Sequence, residues 1–138
     1  MIAGSPNSPV RAVAAIAPPT DLANWGKPAL VFTDAPQLAM FIPALGLNPA
    51  ASKSDVQVLA KRLSPITYVT AKYPPTLIVH GDSDKVVPLQ QGQAMDQAFA
   101  KAGVEHKLEI IAGGGHDDRT FGPGLTKALE WFNAKLLK

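Results

Sequence analysis

The sequence predicts an α/β fold of about three parallel strands with covering helices and a helical insertion. Three observations carry this. From residue 76 onward, short apolar runs alternate with stretches of helical periodicity, strand, helix, strand, helix, which is the pattern of a parallel sheet covered by helices. An almost unbroken apolar run, Val10 to Ala17, is stopped by Pro18-Pro19 and fits a strand buried on both faces. Finally, 13 prolines and 11 glycines cluster at 18–19, 74–75, 113–115 and 122–124, where they punctuate the chain.

Each element can be justified in order. Val10 to Ala17 is read as a strand, although its alanines make a short helix the competing reading. Residues 20–63 have another texture, with prolines at 28, 36, 43 and 49 and no strand alternation. One helix stands out there: Ser54 is a candidate N-cap, and Val56, Leu59, Ala60 and Leu63 share a face. Thr76 to His80 is a strand entered at Pro75 and left at Gly81. Residues 89–102 form a helix with Met95, Ala98, Phe99 and Ala102 on one face and Gly103 as its stop. Lys107 to Ala112 is a strand ended by three glycines. Residues 124–137 form a last helix whose expected buried stripe is Leu125, Ala128, Leu129, Phe132 and Leu136.

Composition excludes several classes of function. Lys+Arg is 13 and Asp+Glu 11, a net charge of +2 spread without basic runs, so neither nucleic acid nor an anionic membrane is an expected partner. No apolar run approaches the roughly 18 residues of a membrane helix. With no cysteine there is no disulfide and no thiolate metal site. The three glycines before His116 lack the Lys-Ser/Thr of a phosphate loop, and His116-Asp117-Asp118 lacks a second histidine at ligand spacing. No cofactor and no metal are expected.

Topology places the candidate chemistry. A strand–helix–strand unit crosses over right-handed and brings both strand ends to one sheet edge. The loop after strand 76–80 carries Asp82 and Asp84, and the loop after strand 107–112 carries His116. Both should face the crevice where open α/β sheets bind ligands. An Asp and a His there suit a catalytic pair, in which the carboxylate accepts the Nδ1 proton, fixes the tautomer and stabilises the imidazolium. Asp82 reads as a turn residue, His80 as structural, and His106 and Lys85 as solvent-facing. Trp25 and Phe41 are open between lining an acyl pocket and packing in the core.

From Arg11 to Lys138 the chain resembles the C-terminal half of an α/β-hydrolase. It is most similar to the esterase/lipase and prolyl-oligopeptidase-like branch, including acetyl-xylan and feruloyl esterase-like enzymes. The matching segments are Arg11 to Leu22, Ser64 to Val69 and Pro74 to Pro88, the last containing His80-Gly-Asp-Ser-Asp84 followed by Val86-Val87-Pro88. The resemblance implies a partial α/β-hydrolase fold in which residues 1–138 are the C-terminal part of a single domain. It further implies that Asp84 is the acid and His116 the base of a Ser-His-Asp triad, and that about 23–63 is the lid. Asp117 and Asp118 stand where the family often has glycine and an aromatic residue.

The triad runs Ser, Asp, His along such chains, from a Gly-x-Ser-x-Gly elbow. No such motif occurs here; Ser5 lacks the second glycine and is followed by Pro6, and Ser83 lies within the acid loop. The oxyanion loop is absent as well. The expectation is therefore a fragment carrying acid and base without nucleophile. Its strand 10–17 would present a bare edge, to be covered by a missing N-terminal half or by dimerisation. In the complete enzyme the expected substrate is a small-molecule ester. A prolyl-oligopeptidase-type serine peptidase fragment, or a non-catalytic remnant acting as a binding or assembly module, is the alternative.

Overall fold

The computed structural model describes residues 9–26 and 52–137. In chain order they form β1 (Val13–Ile16), α1 (Lys53–Leu63), a 3-10 turn (Pro65–Tyr68), β2 (Thr76–Gly81), α2 (Leu89–Ala102), β3 (His106–Ile111) and α3 (Asp118–Leu136). The strands make one parallel sheet in the order β1-β2-β3, with Val13 beside Thr76 and Thr76 beside His106. All six residues of the central β2 are buried; β1, expected to be buried on both faces, is half-buried like most of β3, each having one strand neighbour among the described residues.

Side-chain alternation along β2 builds two cores. Ile78 packs with Met95, Phe99 and Val104, and Tyr73, Ile66, Val69 and Leu108 close around them. Burying a side chain such as Phe99 contributes about 1.5–3 kcal/mol, which is what seats α2 on this face. The opposite face, with Leu77 and Val79, carries α3, whose Gly124 lies so close to Ile16 that a Cβ there would be 3.0 Å from its side chain. α2 stops at Gly103, whose left-handed φ of 70° lets its N–H turn back onto Phe99 and Ala100.

The strand and helix types are those expected, and several boundaries move. The first strand covers Val13–Ile16 and not 10–17; Ala17 at φ 48° breaks it before the two prolines. α1 is capped by Ser52, not Ser54. Ser52 Oγ accepts the Asp55 N–H at 3.2 Å and donates to the Asp55 carboxylate at 2.6 Å, a reciprocal arrangement that Ser54 cannot make from inside the first turn. Leu63, expected on the buried face, is exposed.

The largest correction concerns α3. It starts at Asp118, six residues before the expected start at 124, because Asp117 caps it by accepting the Arg119 N–H. Pro123 lies inside the helix and Gly122-Pro123-Gly124 is not a stop. The buried stripe is Thr120, Gly124 and Ala128. Leu125 and Leu129 are 62% and 65% exposed, so they are not the sheet-facing residues. Small residues bring the helix backbone onto the sheet, which turns the neighbouring leucines outward.

Candidate active site

The loops that leave β2 and β3 meet at the carboxyl edge of the sheet. Their backbones and Asp82 bind them to each other. Asp82 N–H donates to the Ile111 carbonyl, Ser83 N–H to the Gly114 carbonyl at 2.9 Å, and Gly113 N–H to Asp82 Oδ1 at 2.8 Å. The contact is so close that a Cβ on Gly81 would lie 2.2 Å from the Gly114 carbonyl oxygen. Asp82 is thus a loop tie, in keeping with its reading as a turn residue. Ser83 is exposed and donates its hydroxyl to Asp82.

Asp84 sits one turn further, its side chain withdrawn from solvent. Oδ1 accepts the N–H groups of Val86 and Val87, both at 2.8 Å. That leaves Oδ2 for His116, whose Nδ1 lies 2.8 Å away across 32 residues of sequence. A carboxylate at this distance accepts, so Nδ1 carries the proton and Nε2 is the nitrogen left to take one. The His116 side chain is 30% exposed, enough to meet a reactant, and Phe121 packs against it edge-on at 5.2 Å. The aromatic neighbour thus comes from the first turns of α3. Asp117 has another role: it caps α3 and pairs with Arg119, whose hydrogen bonds hold its carboxyl below the usual range, and Asp118 is exposed in the helix's first turn.

The remaining residues singled out from sequence divide clearly. His80 is fully buried beneath the acid loop, with Nε2 2.9 Å from the Val87 carbonyl and 3.9 Å from Asp84 Oδ2. Burial is the main cause that pushes its pKa down, against the opposing effects of Val87 and Asp84. His106 is not solvent-facing as expected; it is half-buried, 2.7 Å from the Val104 carbonyl and 3.3 Å from Asp96. Lys85 is exposed. Trp25 is buried. Phe41, Ser5 and most of the expected lid fall outside the described residues. No group of three or more His, Asp or Glu that could hold a metal ion occurs among the described residues.

Sequence reasoning missed Gln91. It is buried in the first turn of α2, and its Oε1 accepts the N–H groups of Thr20 and Asp21 at 2.8 and 2.7 Å. Its Nε2 donates to the carbonyls of Asp21, Asn24 and Trp25. Thr20 returns a bond from its hydroxyl to the Gln91 carbonyl at 2.6 Å. One amide thereby fastens residues 20–25 beside the acid loop. A glutamine within a polar pair, Gln90-Gln91, gives no hint of burial; only the convergence of the loop upon it does.

The BD-FAE family model matches residues 3–99, well over half of the chain and including Asp84. The chain belongs to the BD-FAE family. This BD-FAE member therefore has an esterase-like α/β-hydrolase fold, as its motifs implied. It is similar to a truncated carbohydrate esterase from gut microbiota, with a TM-score of 0.74 and 26% identity over 95% of this chain and 44% of that one. A bifunctional GH43-CE protein of Bacteroides eggerthii matches with a TM-score of 0.71 and 26% identity, over 93% of this chain and 16% of that chain. A non-reducing polyketide synthase of Aspergillus calidoustus is 37% identical over 70 residues, which are 49% of this chain and 3% of the synthase. The chain spans less than half the length of each of these relatives.

Proposed function

We propose that this chain is the C-terminal part of a serine carboxylic ester hydrolase, with Asp84 and His116 as triad acid and base. The nucleophilic serine and the oxyanion loop would come from a segment outside the 138 residues. The observation that carries this reading is the 2.8 Å contact between His116 Nδ1 and Asp84 Oδ2, with the other carboxylate oxygen held by two backbone N–H groups. The likeness to a carbohydrate esterase at 26% identity supports an ester rather than a peptide as the substrate.

The chemistry follows from the geometry. A serine hydroxyl placed at His116 Nε2 would lose its proton to that nitrogen as its oxygen attacks the ester carbonyl. His116 would then pass the proton to the departing alcohol, and a water activated in the same way would release the acyl group. Asp84 keeps the ring in the Nδ1–H tautomer and favours the imidazolium that forms. Donors for the developing oxyanion are needed as well, and they belong to the proposed upstream segment.

The test joins this chain to an upstream half carrying a Gly-x-Ser-x-Gly elbow and measures hydrolysis of short-chain and aromatic acyl esters. Hydrolysis that His116→Ala abolishes is expected; unchanged activity in that variant would sink the assignment. A fluorophosphonate probe should label the elbow serine of the joined protein and no serine of the 138-residue chain alone. Labelling of one serine in the folded chain alone would show that the nucleophile is already present.

A further inference from the structure

We propose that His80 is a positioning residue for the Asp84–His116 pair: its Nε2–H, donated to the Val87 carbonyl, fastens the acid loop so that Asp84 Oδ2 stays turned toward His116. This rests on the acid and base reading above and adds a residue to it. His80 is the fifth residue of β2 and is wholly inaccessible. Neighbouring Ile78 and Val79 fill comparable places with hydrocarbon, and an imidazole there is costly unless its nitrogens are used. One of them is. The Val87 carbonyl only accepts, so Nε2 at 2.9 Å carries the proton. Nδ1 is then a bare acceptor, and among the described residues it has no partner. A leucine would fill the volume without that unpaired atom; it could not hold Val87.

Val87 explains why the bond matters. Its N–H donates to Asp84 Oδ1 at 2.8 Å, while its C=O receives His80. One residue thus couples the buried ring to the carboxylate. At 3.9 Å, Nε2 is too far from Asp84 Oδ2 to hydrogen-bond it, which leaves that oxygen to His116. The ring cannot retreat, because α2 presses on its other side: a Cβ at Gly92 would lie 2.9 Å from Nδ1. His80 is wedged between the helix backbone and the acid loop. The downward pKa shift from burial agrees with the neutral ring that this bond requires.

The experiment uses the 138-residue chain labelled with nitrogen-15. Long-range proton–nitrogen spectra read the tautomers of its three histidines. His80 is expected as Nε2–H and His116 as Nδ1–H. In His80→Leu the volume is kept and the donor lost. Val86 and Val87 amides should then exchange roughly threefold to tenfold faster, the size of one hydrogen bond, and His116 should become a mixture of tautomers. His80→Gln, whose side-chain N–H can reach the same carbonyl, should restore both signals. A folded His80→Leu chain with unchanged Val86, Val87 and His116 signals overturns the proposal, as does a wild-type His80 in the Nδ1–H form. Should His80→Leu fail to fold, Gly92→Ala pushes on the ring without removing it, and a folded chain with the same signals unmoved is equally decisive. None of these readouts uses ester hydrolysis. An inactive joined enzyme would count against the ester reading alone, and an active one with unmoved His116 signals against His80 alone.

Discussion

At the scale of single residues, the site depends on who accepts from whom. Asp84 distributes its two oxygens between its own loop and His116, so its charge and its direction are separable properties. Asp84→Asn keeps an oxygen for Val86 and Val87 but presents an amide to His116 and favours the wrong tautomer. In the joined enzyme kcat should fall about 10^4-fold with KM little changed, and steady-state kinetics would read this. A loss confined to KM would place Asp84 in binding instead. His80 makes a second prediction. Burial lowers its pKa from 6.5, with Asp84 and His116 acting on it in opposite senses. Below about pH 6.5 the unfolded chain takes a proton at this ring that the folded chain refuses, so unfolding free energy falls as pH drops towards the folded-state pKa. Denaturant unfolding at neutral and mildly acidic pH should show this fall in the wild type and a smaller one in His80→Gln. Equal slopes would exclude His80 as the source. Asp84 and His116 were both legible in the sequence because a motif and a crossover rule point to them. The work of Gln91, His80 and Phe121 was not, since each acts on groups brought near only by folding.

At the scale of elements, glycine positions separate conformation from space. Gly81→Ala would place a Cβ 2.2 Å from the Gly114 carbonyl oxygen, a backbone atom that cannot step aside without separating the two site loops. The loss should reach about 3 kcal/mol, the upper end of the usual range of roughly 1–3 kcal/mol for forced overpacking, because the atom met is backbone. Gly122, inside α3, has nothing beyond its chain neighbours and its own helix backbone within 4 Å of its would-be Cβ. Gly122→Ala should therefore gain less than the helix-propensity difference of about 1 kcal/mol, because a Cβ before Pro123 crowds the proline ring in helical conformation. Thermal unfolding of the two variants side by side should show a large loss for Gly81→Ala and a change within about 1 kcal/mol for Gly122→Ala. The same helix shows why its start eluded sequence reading. Gly-Pro-Gly is a breaker by local rule, yet the Asp117 cap and the packing of Thr120, Gly124 and Ala128 carry the helix through it.

At the scale of the whole molecule, surfaces remain that a stable monomer would cover. Among the described residues β1 has one strand neighbour, β2, and α3 displays Leu125 and Leu129 to solvent. An open strand edge and an apolar stripe both favour association. Sedimentation of the 138-residue chain alone should show concentration-dependent self-association, and a Leu125→Glu, Leu129→Lys double variant should weaken it. A monomer at all concentrations would mean that neither surface is sticky. In the proposed complete hydrolase, the upstream half would lie against β1.

By itself the sequence determined the α/β class, the type of β2, β3 and the three α-helices, the α/β-hydrolase kinship and the placing of Asp84 and His116 at one sheet edge, while β1 stayed open between strand and short helix. Most of these rest on local information, hydrophobic period, proline and glycine stops and the short motif from His80 to Pro88; His116 is added by the crossover rule, which brings two loops to one edge. Tertiary structure alone decided where α3 begins, which of its faces is buried, why a buried histidine lies under the acid loop, and which amide holds residues 20–25. Those outcomes turn on distances between segments far apart in the chain. Close approach at Gly81, Gly92 and Gly124 leaves little or no room for a Cβ, and buried polar atoms take whatever partners the packing brings.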